Sequence, residues 1–345
     1  MKRCNKNKII IASAGTRKTT FLVEAALNIS DKNVLVTTYT NENLNQINSY
    51  LIGIHSCVPK NVDVVSWFSF LLRNGVRPYQ NHMTNKSRIN AVDFIAKPPR
   101  FFSETDVDNY YLTTSRNIYS DRVSEFVYKC NQRTNGLIIK RLEKIYSHIF
   151  IDEIQDFAGF DLDLLNSLFN SNISIIAVGD PRQSTYSTNN SIKNKKFKKK
   201  NIANWIFQNQ KDGIISVEER TECYRCNQTI CDFADALFPD LPNTKSMNHE
   251  ITGHDGVFHL KKHEVEDYYK KYNPIVLRYN IRANTMNLPA LNIGMVKGRT
   301  FDRVLIFPTG PMKEYLETKD ISKVGDISKL YVAITRARYS VAFVV

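Results

Sequence analysis

The chain has 345 residues, 42% of them hydrophobic and 23% charged, a composition typical of a soluble globular protein. This length is sufficient for two domains with separate cores. The net charge of +13 points to a polyanionic partner, and no apolar run reaches the ~18 residues of a membrane span. The basic start is followed by an apolar run too short for an export signal, so we expect a cytoplasmic protein.

The first predicted elements are an apolar strand at Ile9, Ile10 and Ile11, a small-residue loop, and a helix continuing from Phe21. This order is the context of a phosphate-binding loop, in which backbone N–H groups and the helix N-terminus face the phosphates. We expect Lys18 to reach the β- and γ-phosphates and the Thr19 hydroxyl to ligate Mg²⁺. The residues predicted to bind the nucleotide are Ala12, Ser13, Ala14, Gly15, Thr16, Arg17, Lys18, Thr19 and Thr20.

Two positions of this loop depart from the general G-x4-G-K-[ST] pattern, because Ala12 and Arg17 stand where it has glycines. The change at Ala12 is mild, since alanine is small. Arg17 adds bulk where the backbone approaches an anion, although its guanidinium is itself a phosphate ligand. The alternative interpretation is a chance Lys-Thr pair at a helix start.

Short β-rich runs alternate with helical patterns, which predicts an α/β fold of parallel sheets covered by helices. Further strands of a first sheet are expected at residues 33–38, 62–65, 148–152 and 173–179. A second α/β domain is predicted from the runs at 214–217, 257–260, 274–278, 303–307 and 340–345. We place the domains at residues 1–212 and 213–345, with an insertion at about 74–144.

Two segments, one rich in lysine and one rich in cysteine, each allow two interpretations. The segment at 193–201 contains six lysines, typical either of a solvated loop or of an electrostatic contact to a nucleic-acid backbone. The segment CYRCNQTIC at 223–231 begins like a metal motif, but no second pair follows at metal-site spacing, which favours free thiols over zinc or iron–sulfur. The cysteines as a set are expected to be reduced: Cys4, Cys57, Cys130, Cys223, Cys226 and Cys231.

Adjacent carboxylates follow the apolar strand predicted at 148–152. Asp152 is expected to hold Mg²⁺, and Glu153 to polarise the water that attacks the γ-phosphate. An Asp-Glu pair after an apolar run is weak evidence by itself. The full DEIQD sequence after a phosphate loop is stronger.

Seven motifs occur in an order that resembles superfamily 1 DNA helicases of the UvrD, Rep and PcrA type over nearly the whole chain. GDPRQS and VAITRAR are the most specific parts. The motifs are ASAGTRKTT (12–20), VTTYTNENLNQI (36–47), DEIQD (152–156), VGDPRQSTY (178–186), YRCNQTICDFA (224–234), MVKGRTFDRV (295–304) and LYVAITRAR (330–338).

The resemblance implies two RecA-like domains with an ATP cleft between them, and it assigns roles within that cleft. Gln183 is expected to sense the γ-phosphate, and Arg225 and Arg336 to neutralise charge that develops in the transition state. Gly298 is expected near the nucleotide. The alternatives are a surface cation for Arg336 and a capping or pairing role for Arg225 at the following helix.

The resemblance also implies a path for a nucleic-acid strand. Tyr39, Thr40 and Asn41 are expected to meet the backbone and a base, and Trp67, Phe68 and Tyr186 to stack on bases. The alternative is core packing, above all for Phe68. The expected partner is single-stranded DNA, or DNA with a single-stranded tail.

Several departures from the family pattern affect the expected function. There is no upstream glutamine for adenine recognition, Thr300 replaces a ribose-binding glutamate, and the large domain that family members insert in the second half has no place. The leading expectation is an ATP- and Mg²⁺-dependent translocase or helicase on single-stranded DNA. The alternative is a nucleotide-gated DNA-binding subunit with weak turnover that regulates a partner nuclease, as in anti-phage defence pairs. A small-molecule kinase would explain neither GDPRQS nor VAITRAR.

Overall fold

The computed structural model describes residues 5–84, 88–99, 101–189 and 191–345, and only the backbone of Lys200. Cys4 lies outside these ranges. The chain forms two compact units. The first unit comprises Met1–Ile10, Thr19–Gly179 and Tyr186–Glu218, and the second comprises Ile11–Lys18, Asp180–Thr185 and Glu219–Val345.

The strands follow the β-branched runs of the sequence. In chain order they are β1 (Lys8–Ala12), β2 (Val34–Thr38), β3 (Val62–Ser66), β4 (Val92–Asp93), β5 (Ile118–Tyr119), β6 (His148–Ile151), β7 (Ser174–Gly179), β8 (Ser216–Arg220), β9 (Glu222–Cys223), β10 (Lys245–Ser246), β11 (Gly256–Leu260), β12 (Ile275–Arg278), β13 (Ala290–Asn292), β14 (Phe301–Phe307) and β15 (Ala337–Val344).

The helices lie between these strands. They are α1 (Lys18–Leu27), α2 (Asn41–His55), α3 (Trp67–Leu71), α4 (Arg77–Tyr79), α5 (Val107–Tyr111), α6 (Val123–Arg133), α7 (Leu137–Ile145), α8 (Phe160–Phe169), α9 (Ile202–Lys211), α10 (Gln228–Asp235), α11 (Val265–Tyr272), α12 (Gly310–Thr318) and α13 (Ile327–Ile334).

Two large sheets organise the fold. The first has the strand order β3-β2-β6-β7-β1-β8, and the second has the order β11-β15-β14-β12-β13. Neighbouring strands of the second sheet are parallel, as are β3, β2, β6 and β7 of the first. Parallel sheets bury both faces, which explains why all five residues of β2 are buried. The predicted fold of parallel sheets covered by helices is confirmed.

One strand belongs to a different sheet from the one that the sequence suggested. The run at 214–217 was assigned to the second domain, but β8 lies beside β1 at the edge of the first sheet. The Ser216 amide donates to the Asn7 carbonyl at 2.9 Å, and the Ser13 amide donates to the Arg220 carbonyl at 3.1 Å. Backbone pairing with β1 therefore decides the position of this strand.

The region expected to be an insertion, about 74–144, contains helices with buried faces. Helix α6 packs against α3 and α8, and it buries Val123, Phe126 and Val127. Phe126 meets Tyr111 edge to face, with ring centroids 5.3 Å apart. Among the described residues, no helix is long and apolar enough to cross a membrane.

Candidate nucleotide and nucleic-acid sites

The predicted phosphate loop connects β1 to α1, as its strand–turn–helix context requires. The Lys18 ammonium donates to the carbonyls of Ala12 at 3.2 Å and Ser13 at 3.1 Å, so it lies against the loop. The Thr16 hydroxyl also donates to the Ser13 carbonyl, at 3.0 Å. These contacts hold a compact turn whose lysine is placed at the start of a helix, where an anion is favoured.

Two residues of the loop adopt left-handed backbone conformations. Gly15 has a φ of +79°, and a Cβ there would lie 2.7 Å from the Cys223 sulfur and 2.8 Å from the Arg225 Cβ. Arg17 has a φ of 58°, and its guanidinium carbon lies 4.1 Å from the centroid of the Tyr224 ring. Arg17 thus takes the conformation that a glycine would adopt, and its side chain is held by a cation–π contact.

The carboxylates of DEIQD follow β6. The Thr19 hydroxyl donates to Asp152 Oδ2 at 2.8 Å, across 133 positions of sequence, and Asp152 is 1% exposed. A hydroxyl and a carboxylate in contact form an oxygen donor set that suits Mg²⁺, which is commonly held by one or two protein ligands together with substrate phosphates. The predicted metal residues are therefore adjacent and fit the ion.

Glu153 is buried and has a φ of 58°, so a non-glycine residue again occupies the left-handed region. The side-chain amide of Gln155 donates to the Glu153 carboxylate. Strained backbone of this kind recurs where a side chain has to be aimed in one direction. Glu153 is thus fixed directly after Asp152.

The segment GDPRQS and the C-terminal helix meet within the second unit. Arg336 is 1% exposed, and its guanidinium donates to Gln183 Oε1 at 3.1 Å. It also donates to the carbonyls of Val332 and Arg299, at 3.1 and 3.3 Å. Arg336 is therefore not a surface cation, and it lies beside the residue predicted to sense the γ-phosphate.

Arg225 lies near Arg336. Its guanidinium donates to the carbonyl of Thr335, which precedes Arg336, at 3.0 Å. The cap of α10 is Asn227, whose side chain accepts from the Ile230 amide, so Arg225 does not cap this helix. Gly298 is exposed, with a φ of +85°, and precedes the Arg299 carbonyl that Arg336 contacts. Thr20 lies half-buried in the first turn of α1.

The sequence predicted a role for Gln183 but none for its neighbour Arg182, which the structure places against the phosphate loop. Its side chain is 1% exposed and donates to the Pro242 carbonyl at 2.5 Å and to the Ser13 hydroxyl at 3.4 Å. Burial lowers the pKa of Arg182, but Tyr331, Asp180 and Asp235 raise it, and the net pKa is raised. Arg182 is thus a permanent cation that joins the phosphate loop to its surroundings within the second unit.

A second missed residue contacts the loop from the C-terminal helix. The Tyr331 hydroxyl accepts from the Ala14 amide at 3.4 Å and is buried. Burial raises the pKa of Tyr331 well above its usual range, with Asp180 acting in the same direction. The signals that could have identified both residues are GDPRQS itself and the tyrosine at the start of LYVAITRAR.

The predicted nucleic-acid residues after β2 lie at the beginning of α2. Tyr39 is half-buried, and its hydroxyl donates to the Thr188 carbonyl at 3.3 Å. Burial raises the pKa of Tyr39. Thr40 caps α2 by accepting from the Asn43 amide, and Asn41 is exposed. Tyr186 is 40% exposed.

Trp67 was predicted to stack on a base, but it packs in the core of the first unit. Its side chain is 1% exposed, its ring lies 5.0 Å from Phe157, and its Nε1 donates to Asp161 at 2.7 Å. The neighbouring Phe68 is half-buried and contacts Phe94, which is 71% exposed. Trp67 is thus the core residue, and Phe68 is the more exposed of the two aromatics.

The lysine-rich segment forms short 3-10 turns at Lys195–Phe197 and Lys199–Asn201. Lys193, Lys195 and Lys196 are exposed. Burial lowers the pKa of Lys198. Most of the charge on the described side chains of this segment is thus available to a polyanion.

The cysteines predicted to be free are free where the structure describes them, from Cys57 onward. Cys223, Cys226 and Cys231 are buried together. Over the described ranges, no group of three or more His, Cys, Asp or Glu residues is arranged to hold a metal ion.

The parallel sheets and the loop ending in Lys18 and Thr19 define a P-loop nucleotide-binding protein. The family model described as the viral superfamily 1 RNA helicase core domain matches residues 109–345, and an AAA domain model matches residues 1–189. Each match covers more than half of the chain, which therefore belongs to the superfamily 1 helicases with a viral-type core. The prediction of superfamily 1 is confirmed.

Three solved structures are similar to the chain. The PRRSV helicase is 16% identical with a TM-score of 0.48, covering 99% of this chain and 52% of its own. Arterivirus nonstructural protein 10 (helicase) is 14% identical with a TM-score of 0.49, covering 98% and 59%. The structure of arterivirus nonstructural protein 10 in complex with DNA is 13% identical with a TM-score of 0.49, covering 98% of this chain and 60% of its own. The chain thus spans about half to three-fifths of their length. No curated protein matches it.

Proposed function

We propose that this chain is an ATP-dependent translocase or helicase of superfamily 1 that acts on single-stranded DNA. The observation that carries the proposal is the hydrogen bond between Thr19 and Asp152, which joins the phosphate loop to the DEIQD carboxylates. A P-loop hydroxyl beside a carboxylate that follows a strand is the arrangement that P-loop NTPases use to hold Mg²⁺.

The roles follow from the groups in place. Lys18 binds the β- and γ-phosphates, while Thr19 and Asp152 hold Mg²⁺, which neutralises charge on the phosphate oxygens when bound. Glu153 accepts a hydrogen bond from the attacking water and orients it. Gln183, Arg225 and Arg336 stabilise the charge that spreads over the γ-phosphate oxygens in the transition state.

A cavity beside the phosphate loop is suited to the base and ribose. It measures about 330 Å³ and is lined by Thr16, Glu219, Arg220, Thr221, Glu222 and Tyr224. Tyr224 is 41% exposed, and the Arg17 guanidinium carbon lies 4.1 Å from the centroid of its ring, so a base that stacks on Tyr224 would meet Arg17. Binding would then release Arg17 from the ring and free it to contact phosphate.

The proposed strand path uses Tyr39, Thr40, Asn41, Phe68 and Tyr186, with exposed lysines of the 193–201 segment contacting phosphates. Stacking on exposed rings is tolerant of base sequence, as translocation requires. The matching family is described as an RNA helicase core, and one similar structure is a complex with DNA. RNA is therefore the competing substrate to be tested beside DNA.

The test is the rate of phosphate release from ATP without nucleic acid and with single-stranded DNA, duplex DNA or RNA. Wild type should be stimulated most by single-stranded DNA. Lys18→Ala and Glu153→Gln should each lose roughly 100-fold or more in rate, because each removes a group that acts on the transferring phosphoryl. Lys32→Ala, at an exposed lysine, is the matched control and should retain the wild-type rate. Hydrolysis by Lys18→Ala as fast as by the parent would overturn the proposal.

A second candidate is a nucleotide-gated DNA-binding subunit that regulates a partner nuclease with little turnover. Arg17 favours it, since this residue fills the place of a glycine and is held on Tyr224. Arg17→Gly separates the two functions. A slow switch predicts ATP-dependent affinity for single strands without phosphate release in wild type, and faster release in Arg17→Gly. Rapid DNA-stimulated turnover of wild type excludes it.

A further inference from the structure

Three buried thiols form a cluster, and one of them, Cys223, packs against the phosphate loop. Cys223, Cys226 and Cys231 are 1%, 1% and 3% exposed and belong to the core of the second unit. The Cys226 amide donates to the Cys223 sulfur at 3.3 Å, and the Cys231 thiol donates to the Cys226 carbonyl at 3.9 Å. The cluster closes the turn between β9 and α10.

The cluster touches parts of the proposed nucleotide site on two sides. The Cys223 sulfur would lie 2.7 Å from a Cβ added to Gly15, so sulfur and phosphate loop are in close contact. The Cys226 thiol donates to the Thr335 carbonyl at 3.7 Å, and the same carbonyl accepts from the Arg225 guanidinium. Arg225 itself lies between the two cysteines in sequence.

We propose that Cys223 and Cys226 form a reversible disulfide on oxidation by hydrogen peroxide, and that this bond switches off nucleotide hydrolysis. The first part rests on the joint burial of the thiols and on the hydrogen bond from the Cys226 amide to the Cys223 sulfur. The second part rests on the function proposed above.

The chemistry is balanced with peroxide as the oxidant. The Cys223 thiolate attacks one peroxide oxygen, the O–O bond breaks, and the sulfenic acid of Cys223 and hydroxide are formed. The Cys226 sulfur then attacks the Cys223 sulfur, expelling the second oxygen as hydroxide. The two protons given up by the thiols convert both hydroxides to water. The two thiols lose two electrons, and one peroxide becomes two waters.

Cys223 is suited to the first step. Contact with the Cys226 and Cys231 side chains lowers the pKa of Cys223, and hydrogen bonds from the amides of Cys226 and Arg225 act in the same direction. Contact with the Cys223 side chain in turn raises the pKa of Cys226 and of Cys231. Of the three sulfurs, Cys223 therefore ionises most readily and is suited to attack, and Cys226 is suited to act as its resolving partner.

Cys223 is 1% exposed, so its reaction with peroxide requires a local opening of the turn. Glu222 is exposed and Tyr224 is 41% exposed, so peroxide reaches Cys223 when the turn shifts. In the disulfide, the Cys223 sulfur leaves its position under Gly15 and Cys226 leaves the Thr335 carbonyl. The phosphate loop and the Arg225 turn then both lose their packing.

The first measurement is chemical. The full chain is treated with hydrogen peroxide, remaining thiols are alkylated, and peptides are mapped by mass spectrometry. A Cys223–Cys226 cross-link that disappears with dithiothreitol is expected in wild type and in Cys57→Ser, which lacks an exposed thiol. The proposal is overturned if peroxide oxidises Cys57 while the peptide containing Cys223 and Cys226 remains fully reduced.

The second measurement is the ATPase rate before and after peroxide, each protein being compared with its own untreated rate. Wild type and Cys57→Ser should lose about tenfold or more and recover with dithiothreitol. Cys223→Ser and Cys226→Ser should be insensitive, and either variant suffices if the other does not fold. If the cross-linked protein hydrolyses ATP at the untreated rate, the disulfide does not control hydrolysis and the second part of the proposal is wrong. No activity in the reduced wild type instead contradicts the proposed function, and the cross-link is still tested by mass.

Discussion

Gly15 and Arg17 give the phosphate loop its shape through backbone conformations that side chains rarely adopt. For an L-residue the left-handed conformation costs roughly 1–2 kcal/mol, and the contact of Arg17 with Tyr224 returns about 0.5–1 kcal/mol of this. The sequence showed that Arg17 replaces a glycine, but it could not show that arginine retains the glycine conformation. The backbone is thus maintained while the side chain acquires a new contact.

Gly15→Ala is expected to destabilise the second unit beyond the effect of backbone strain. The new methyl group would meet the Cys223 sulfur at 2.7 Å and the Arg225 Cβ at 2.8 Å. Strain and overpacking together should lower the free energy of unfolding by about 2–4 kcal/mol, measured by urea denaturation.

Gly213→Ala is the matched control for this substitution. Gly213 also has a positive φ, +72°, but nothing lies within 4 Å of the added methyl group. It should cost only about 1 kcal/mol. Equal losses in the two variants would show that the loop has room at Gly15.

Sequence patterns predicted where strands begin and end, but they predicted less well which strands lie side by side in a sheet. Runs of β-branched residues predicted β2, β6 and β7 to within a residue or two at each end, because a doubly buried strand needs continuous apolar residues. The assignment of β8 failed because SVEER carries no apolar run that selects a sheet. Its partner is chosen by tertiary hydrogen bonds, which local sequence does not encode.

The same limit explains the aromatic pair in α3. Successive helical residues are rotated by about 100°, so Trp67 and Phe68 point in different directions, and here one of them faces the core while the other is half-buried. Which of them does so depends on the position of Asp161, whose carboxylate accepts from the Trp67 indole. Asp161 lies 94 positions further along the chain, and sequence pattern does not reveal that contact.

Asp161 is predicted to hold three elements of the first unit together. Its carboxylate accepts from Trp67 at 2.7 Å, Ser124 at 2.6 Å and Asn189 at 2.9 Å. Asp161→Ala leaves these donors buried without an acceptor and should lower the free energy of unfolding by about 3 kcal/mol. Asp31→Ala, at an exposed loop aspartate, should be nearly neutral.

The pH dependence of this loss has a definite sign. Burial raises the pKa of Asp161 despite hydrogen bonds from Ser124, Thr188, Trp67 and Asn189. The folded chain therefore keeps the proton to a higher pH than the unfolded chain, whose aspartate titrates near ~3.9. As pH rises above that value, wild type loses stability relative to Asp161→Ala, so the difference between them should shrink. A difference that grows with pH would contradict the raised pKa.

At the scale of the whole molecule, the net charge of +13 has a local concentration in the 193–201 segment. Lys193 lies over the Phe160 ring at 6.0 Å and Lys196 over Phe197 at 4.7 Å. In both contacts the ammonium group lies near the ring, and the side chain as a whole is exposed to solvent. Such lysines suit phosphate contacts, which contribute affinity independent of sequence and release bound counterions.

Replacing Lys193, Lys195 and Lys196 together by glutamine should weaken single-strand binding and reduce its salt dependence. Each phosphate contact contributes about 0.7 to the slope of log K against log salt for a single strand, so the slope should fall by up to ~2. The measurement is a fluorescence-anisotropy titration of a labelled oligonucleotide at several salt concentrations. The ATPase rate measured without nucleic acid should not change, because these lysines do not belong to the proposed nucleotide site.

The control removes the same charge elsewhere. Lys270, Lys271 and Lys323 are exposed, and Lys270 and Lys323 pair with Glu266 and Glu314 at 2.6 and 2.9 Å. Their replacement by glutamine lowers the net charge equally but should leave the slope nearly unchanged, since screening limits the reach of surface charges to about 8–10 Å. If both triple variants reduce the slope by the same amount, the nucleic acid responds to total charge, and the 193–201 segment is not a contact site.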